Sequence, residues 1–223
     1  MATPAQLVEC VATVLKVPHP TVVLYDRMLS ENGLRSKGGR GLNVARVTAK
    51  DAANLLIAIG GTPPTSAPVS AAVSAVEQYA GLRYDPDREY DPDIMSKFDR
   101  EELADAPVDL KDMPGLGALC TNHTFRDGLV ALIEAQRDHK LLDMDEEWEE
   151  EDPSARVEMT GRPTACIHIR LPDEDQATLS YWPRVKPRRG ARSDLYWTRG
   201  FSHKTIQAVA DLLSQGASKG PVA

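Results

Sequence analysis

The sequence predicts an α+β protein with helices in its N-terminal part and a small antiparallel sheet plus a helix at its C-terminus. Apolar residues recur at helical spacing in the first 61 residues and again over 124–142. Residues 155–182 instead form short alternating stretches separated by turn sequences. The net charge of -7 is the sum of +3 over residues 1–61, -15 over 62–155 and +5 over 156–223. We therefore predict three segments, which are residues 1–61, 62–154 and 155–223.

The N-terminal segment begins with two helices separated by a tight turn. Residues 5–17 gather their leucines and valines on one helical face. The sequence PHPT breaks this helix, because closely spaced prolines cannot continue it. A second helix is predicted from Thr21 to Asn32, and Gly33 follows it in the position of a C-terminal cap.

A glycine-rich basic stretch, LRSKGGRGLNVARVT, follows the second helix. Gly38 and Gly39 suit the tip of a small hairpin, with Leu34 and Arg35 entering it. Thr48 then suits the N-cap of a third helix, AKDAANLLIAIGG, which is predicted to end at its glycine pair. The first 61 residues are therefore interpreted as a compact unit.

The middle segment contains helices within acidic sequence. A proline-rich linker over 62–68 precedes a helix over 69–79. Residues 83–113 are predicted to be extended, with a short helical turn near 96–104. A further helix is predicted over 124–142, and it leads into an acidic tract over 143–152.

The C-terminal segment is predicted to form an antiparallel meander of three strands, ARVEMT, TACIHIRL and ATLSYW. A basic loop, PRVKPRRGARS, leads from the third strand towards a last helix. Ser202 is predicted to cap this helix, and Gly216 to end it.

Composition and motif spacing argue against several classes of function. The three cysteines lie far apart without metal-type spacing, so we expect a reduced cytoplasmic protein without a disulfide framework or a metal site. No apolar run reaches the length of a membrane span. The sequence carries no metalloprotease, serine-hydrolase or phosphate-loop motif, so we expect a non-enzyme that binds no cofactor.

The stretch VLKVPHPTVVLYDRMLSENGLRSKGGRG resembles the winged helix-turn-helix family of DNA-binding proteins. Its LRSKGGRG part also resembles DNA-binding segments of phage-derived and gene-transfer-agent-associated proteins of α-proteobacteria. The resemblance covers about 60 of the 223 residues. It implies that the second helix enters the major groove of DNA and that the basic stretch forms a wing along the phosphate backbone.

This resemblance implies two groups of DNA contacts. The helical group could meet bases or phosphates, and the wing group could bind phosphate through charge. We also considered that Tyr25 packs in the core, that His19 is a plain turn residue, and that the wing cations are solvated. The helical group is His19, Thr21, Tyr25 and Arg27, and the wing group is Arg35, Lys37, Arg40 and Arg46.

Cations and aromatic residues also alternate near the C-terminus. This pattern is typical of surfaces that bind nucleic acid by stacking and charge, and equally of core aromatics beside solvated arginines. The acidic tract over 143–152 or the C-terminal segment could instead bind a protein partner. The residues of the candidate second surface are Arg184, Lys186, Arg188, Arg189, Arg192, Trp197 and Arg199.

The sequence therefore leads us to expect a cytoplasmic homodimer that binds double-stranded DNA, such as a transcriptional regulator in a phage-related setting. A dimer is expected because one small helix-turn-helix rarely specifies a DNA site alone. The alternative is a non-catalytic phage or accessory structural protein whose N-terminal helices form a protein interface. A small DNA-processing accessory factor is a third possibility.

Overall fold

The computed structural model describes residues 2–37, 45–63, 68–85, 110, 113, 115–138, 155–170, 176–184 and 197–215. Within these ranges the chain has the predicted α+β architecture, with six helices and five strands. The helices are α1 (Pro4–Leu15), α2 (His19–Glu31), α3 (Ala49–Gly61), α4 (Pro68–Tyr79), α5 (Phe125–Arg137) and α6 (His203–Gln215). The strands are β1 (Arg83–Tyr84), β2 (Ala155–Thr160), β3 (Thr164–Arg170), β4 (Gln176–Trp182) and β5 (Thr198–Ser202).

The five strands form one antiparallel sheet in the order β1-β4-β3-β2-β5. Its centre is the predicted meander, in which Ile167 pairs with Val157 on one side and Leu179 on the other. Two strands were missed by the sequence analysis. β5 pairs with β2, and the two-residue β1 pairs with β4, so distant parts of the chain complete the sheet.

Helix α3 lies at the centre of the molecule. Lys50 is its one exposed residue, and the remaining positions from Ala49 to Gly61 are buried. The helix contacts α2, α4, α5 and α6 and also packs on β2 and β5. Its C-terminal turn approaches its neighbours closely, because a Cβ on Gly61 would lie 2.8 Å from the ring of Tyr79. A helix that is apolar on all sides is typical of such a central position.

All three predicted segments contribute to one hydrophobic core. Leu7 of α1, Leu132 of α5 and Val209 of α6 belong to the same cluster of buried side chains. Helix α1 also packs directly against α6. The boundary at residue 61 marks a change in charge and sequence pattern, but the hydrophobic core continues across it.

Local signals explain where the N-terminal helices begin and end. Helix α1 stops at Leu15, two residues before its predicted end, because Lys16 adopts the left-handed conformation with φ 53°. Helix α2 starts at His19, two residues before its predicted start, and Pro20 lies in its first turn. Proline is tolerated there because first-turn N–H groups have no partner within the helix. Gly33, at φ 73°, follows the end of α2 as predicted.

Candidate nucleic-acid interface

Helices α1 and α2 pack against each other and are joined by Lys16, Val17 and Pro18. On α2, the structure corrects the prediction for Tyr25, which is 4% exposed and lies in the core. Its ring belongs to the hydrophobic core and is therefore poorly placed to contact DNA. Thr21 is half-buried, whereas His19 and Arg27 are exposed.

The two exposed candidates on α2 face carboxylates. His19 Nε2 lies 3.3 Å from Glu9 Oε2, and Arg27 Nε lies 2.7 Å from Glu31 Oε1. A phosphate would have to compete with these carboxylates, although such exposed ion pairs are weak. The exposed side of α2 also carries Val23 and Leu24, each 41% exposed.

Arg35 is part of a largely buried ion pair. Its Nε lies 2.8 Å from Asp26 Oδ1, and each of the two side chains is 13% exposed. Burial raises the pKa of Asp26, while the charge of Arg35 opposes that rise and the nearby Asp51 adds to it. The prediction that Arg35 binds DNA phosphate is therefore corrected, because its guanidinium already neutralises a buried carboxylate between α2 and the following loop.

Asp51, in the first turn of α3, joins two separated parts of the chain. Its Oδ1 accepts a hydrogen bond from the Ser36 backbone N–H at 2.7 Å. Its Oδ2 accepts bonds from the Thr48 N–H and hydroxyl, both at 2.8 Å. The carboxylate is buried, at 3% exposure. Ser36 and Thr48 are thus bonded to the same carboxylate, and we call the residues between them, 37–47, the basic loop.

A second contact fixes the entry to the basic loop. Asn54 Nδ2, one turn further along α3, donates a hydrogen bond to the Leu34 carbonyl at 2.6 Å. Leu34 N–H in turn donates to Leu29 O at the end of α2, at 2.8 Å. The chain leaving α2 is therefore bonded to both helices before the basic loop begins.

These bonds also correct the predicted hairpin where its flanks are described. Residues 34–37 and 45–48 are not strands. Their backbone groups bond elsewhere: Val47 N–H, for example, donates to Ala2 O at 3.1 Å. The predicted tip at Gly38 and Gly39, together with Arg40, lies outside the described residues.

The charge of the basic loop is of one sign. It contains Lys37, Arg40 and Arg46 and no acidic residue, and no acid occurs anywhere from Asn32 to Lys50. Lys37, Arg46 and Lys50 are exposed. Glycines at 38, 39 and 41 leave the backbone without side chains that would keep a ligand away. The composition suits an anionic partner such as a phosphate backbone.

Arg199, one residue of the predicted C-terminal surface, lies at the other end of α3. Arg199 Nη1 donates to Thr62 O at 3.1 Å, beyond the last turn of α3. Over the 13 residues of α3, the two ends are separated by roughly 18 Å. Trp197 is half-buried and lies 6.5 Å from the ring of Tyr79, so it contributes to packing. Arg184 is exposed, whereas Lys186, Arg188, Arg189 and Arg192 lie outside the described residues.

A buried polar network that the sequence analysis did not identify joins the start of α5 to the sheet. His123 Nδ1 donates to Cys120 O at 2.7 Å, and Nε2 accepts from the Tyr181 hydroxyl at 2.9 Å. The Tyr84 ring stacks on His123 at 4.9 Å. Burial lowers the pKa of His123, although the Cys120 carbonyl and Asp127 act in the opposite direction. The neutral imidazole satisfies the hydroxyl of the fully buried Tyr181, which is a structural role.

The outer side of α5 is unsuited to nucleic acid. A shallow groove of about 340 Å³ lies between α5 and the turn that contains Gly115 and Leu119. Three carboxylates, from Asp127, Glu134 and Asp138, lie along it. They would repel phosphate, so the basic loop is the stronger candidate. The acidic tract over 143–152 lies outside the described residues.

Comparison with family models, with curated proteins and with solved structures found no match to this chain. In the described ranges, no group of three or more histidine, cysteine, aspartate or glutamate side chains is placed to hold a metal ion. Among the helices in those ranges, none has the length and apolar character needed to span a bilayer.

Proposed function

We propose that this protein binds double-stranded DNA and that the basic loop contacts the phosphate backbone. The observation that carries the proposal is the closure of an acid-free basic loop by one buried carboxylate. Ser36 and Thr48 both bond to Asp51. The backbone next to Lys37 and close to Arg46 is therefore held against the first turn of α3. Cations with limited freedom lose less conformational entropy when they bind phosphate than cations on a free linker do.

Sequence-specific recognition is assigned to α2 in this proposal. Base edges would have to be read by exposed residues of α2, such as His19 and Arg27, after they leave Glu9 and Glu31. A cytoplasmic homodimer acting as a transcriptional regulator in a phage-related setting is the biological role that we propose. Two copies would double the number of phosphate contacts and define the spacing of two half-sites.

The test is duplex DNA binding by the full chain as a function of salt. Replacing Lys37, Arg40 and Arg46 together by alanine should weaken binding. It should also lower the slope of log K against log salt by roughly 2.7 if all three contact phosphate, since each contact contributes about 0.9. The control replaces three cations outside the basic loop, which changes the net charge equally. These control positions are Arg126, Arg162 and Lys204.

Two results would count against DNA binding by the basic loop. One is the absence of binding by the unmodified chain at about 50 mM salt, where phosphate contacts are strong. The other is an equal loss of affinity and slope in the loop variant and the control variant, which would show that only total charge matters.

A second candidate function has its own observation. Val23 and Leu24 are the large apolar side chains that α2 exposes, and they could form a protein interface as in a non-catalytic structural or accessory protein. Val23→Ser with Leu24→Ser should then shift the full chain to smaller species in sedimentation, without changing the salt slope of DNA binding. A chain that remains monomeric at every concentration would exclude self-association through this surface.

A further inference from the structure

We propose that the groove beside α5 binds a basic amphipathic helix of a partner protein. This groove of about 340 Å³ lies between the outer side of α5 and the turn that contains Gly115 and Leu119. The inference goes beyond the proposed DNA binding and does not depend on it, because both the surface and the ligand are different.

The middle of the groove is apolar. Leu119 and Val130 are half-buried, pack against the hydrophobic core and line the groove with their remaining surface. Ala118 and Ala131 have small side chains, which leave a depression between the turn and α5. We call these four residues the apolar strip. Partly exposed apolar side chains in a concave site favour a ligand that supplies an apolar group of its own.

Carboxylates flank the apolar strip along α5. Asp127 and Glu134, both exposed, are seven residues apart. They therefore lie on the same side of the helix, two turns and roughly 10 Å from each other, with Val130 between them. Among the described residues that line the groove, none is cationic. An apolar centre between negative ends is thus the pattern that a ligand must complement.

The carboxylate at the first end is ionised and held in place. Oδ2 of Asp127 accepts bonds from the Thr124 N–H and hydroxyl at 2.9 and 2.6 Å. Burial raises the pKa of Asp127, but these bonds and the charge of Arg126 outweigh that effect and lower it. A third carboxylate, from Asp138, pairs with Arg137 Nε at 3.0 Å, so the proposal relies on Asp127 and Glu134.

A basic amphipathic helix matches this pattern of charge and apolar surface. Lysines or arginines seven residues apart on such a helix have the same spacing as Asp127 and Glu134. An apolar residue three or four positions from each of them would face the apolar strip. In this mode of recognition the apolar anchor contributes affinity, and the flanking charges fix the orientation. The net charge of -7 on the whole chain also attracts a basic partner.

The experiment measures binding of a fluorescein-labelled model peptide to the full chain by anisotropy. The peptide carries leucines on one helical face and lysines on either side of them. We expect saturable binding at about 50 mM NaCl that weakens as the salt concentration rises. Glu134→Lys should bind the peptide roughly three- to tenfold more weakly, because an attraction becomes a repulsion. The matched control is Glu77→Lys, the same charge change at an exposed position of α4, which should stay within about twofold.

Two further measurements test the apolar part of the groove without changing the charge of the protein. Ala118→Leu places a larger side chain at an exposed position of the groove wall, so peptide binding should fall about fivefold or more. Duplex DNA binding by this variant should equal that of the unmodified chain, which distinguishes a failure of this proposal from a failure of DNA binding. A peptide with serines in place of its leucines should bind about fivefold more weakly or worse.

Three results would overturn the proposal. The first is a lack of peptide binding by the unmodified chain at about 50 mM NaCl, where charge attraction is strong. The second is an equal loss of affinity in Glu134→Lys and Glu77→Lys, which would show that only total charge matters. The third is equal binding of the leucine and serine peptides, which would show that the apolar strip makes no contribution.

Discussion

Replacement of Arg35 by alanine tests whether this cation holds the structure together. Its partner Asp26 has a side chain that is 13% exposed and would be left without a compensating charge. Breaking a fully buried ion pair from one side costs about 3–5 kcal/mol. Because this pair retains some solvent contact, we expect about 2–3 kcal/mol, or about 5–10 °C in Tm for a chain of this size. Lys37→Ala, an exposed change two residues away, should stay within about 0.5 kcal/mol of the unmodified chain.

The assay is urea unfolding of Arg35→Ala, Lys37→Ala and the double variant Asp26→Asn/Arg35→Ala. The double variant should regain about 1 kcal/mol or more relative to Arg35→Ala, because it no longer buries an unpaired charge. The deficit of Arg35→Ala should also shrink as the pH falls from neutral. The pKa of Asp26 is already raised by burial and rises further without Arg35, so the folded state takes up the proton first. Equal stability of Arg35→Ala and Lys37→Ala would refute a structural role for the ion pair.

Three other changes test the packing, the buried histidine and the end of α2. Gly128→Ala should lower the free energy of unfolding in urea by about 1–3 kcal/mol, although alanine favours helix formation more than glycine does. The new Cβ would overlap the Tyr181 hydroxyl and lie 3.0 Å from Cζ of the same ring. Tyr181→Phe should make that change less costly. The lowered pKa of His123 means that the unfolded chain binds the proton more readily. Acid titration should therefore show stability falling from about pH 6.5 downwards, a dependence that His123→Gln weakens. Gly33→Ala should cost about 1–2 kcal/mol in thermal unfolding, because φ at Gly33 is 73° and L side chains rarely adopt such a conformation. No steric overlap adds to this cost, since no atom lies within 4 Å of the new Cβ. Three results would contradict these arguments: a Gly128→Ala variant more stable than the unmodified chain, an acid profile that His123→Gln leaves unchanged, and a Gly33→Ala variant of unchanged stability.

The elements with strong local signals could be predicted from the sequence. Thr48 indicated the start of α3, and the alternating stretches after Ala155 indicated the meander. The apolar residues that follow Asn54 on every side of α3 could also have revealed that it is central, because such a helix needs partners on every side. What the pattern could not provide was the identity of those partners, which come from the sheet and from α4, α5 and α6.

The roles of individual cations could be predicted less well. Arg35 and Lys37 are two residues apart in one basic stretch, yet Arg35 pairs with Asp26 and Lys37 is exposed. The difference depends on how α2 and α3 pack, which local sequence does not encode. Tyr25 shows the same limit, because its position on α2 fitted both a DNA contact and a core residue until its burial was known. His123 and Tyr181 are 58 residues apart and gave no local signal of their hydrogen bond.

The packing of α1 against α6 has a consequence for the newly made chain. A ribosome releases α1 and α3 well before β5 and α6, which cover parts of both. Until α6 emerges, helices α1 and α3, which carry the buried Leu7 and Leu55, lack part of their cover. The native fold is therefore expected to form only after α6 has been made, through contacts between distant parts of the chain that form slowly. Nascent chains stalled before α6 should consequently be the forms most prone to aggregate and most dependent on chaperones.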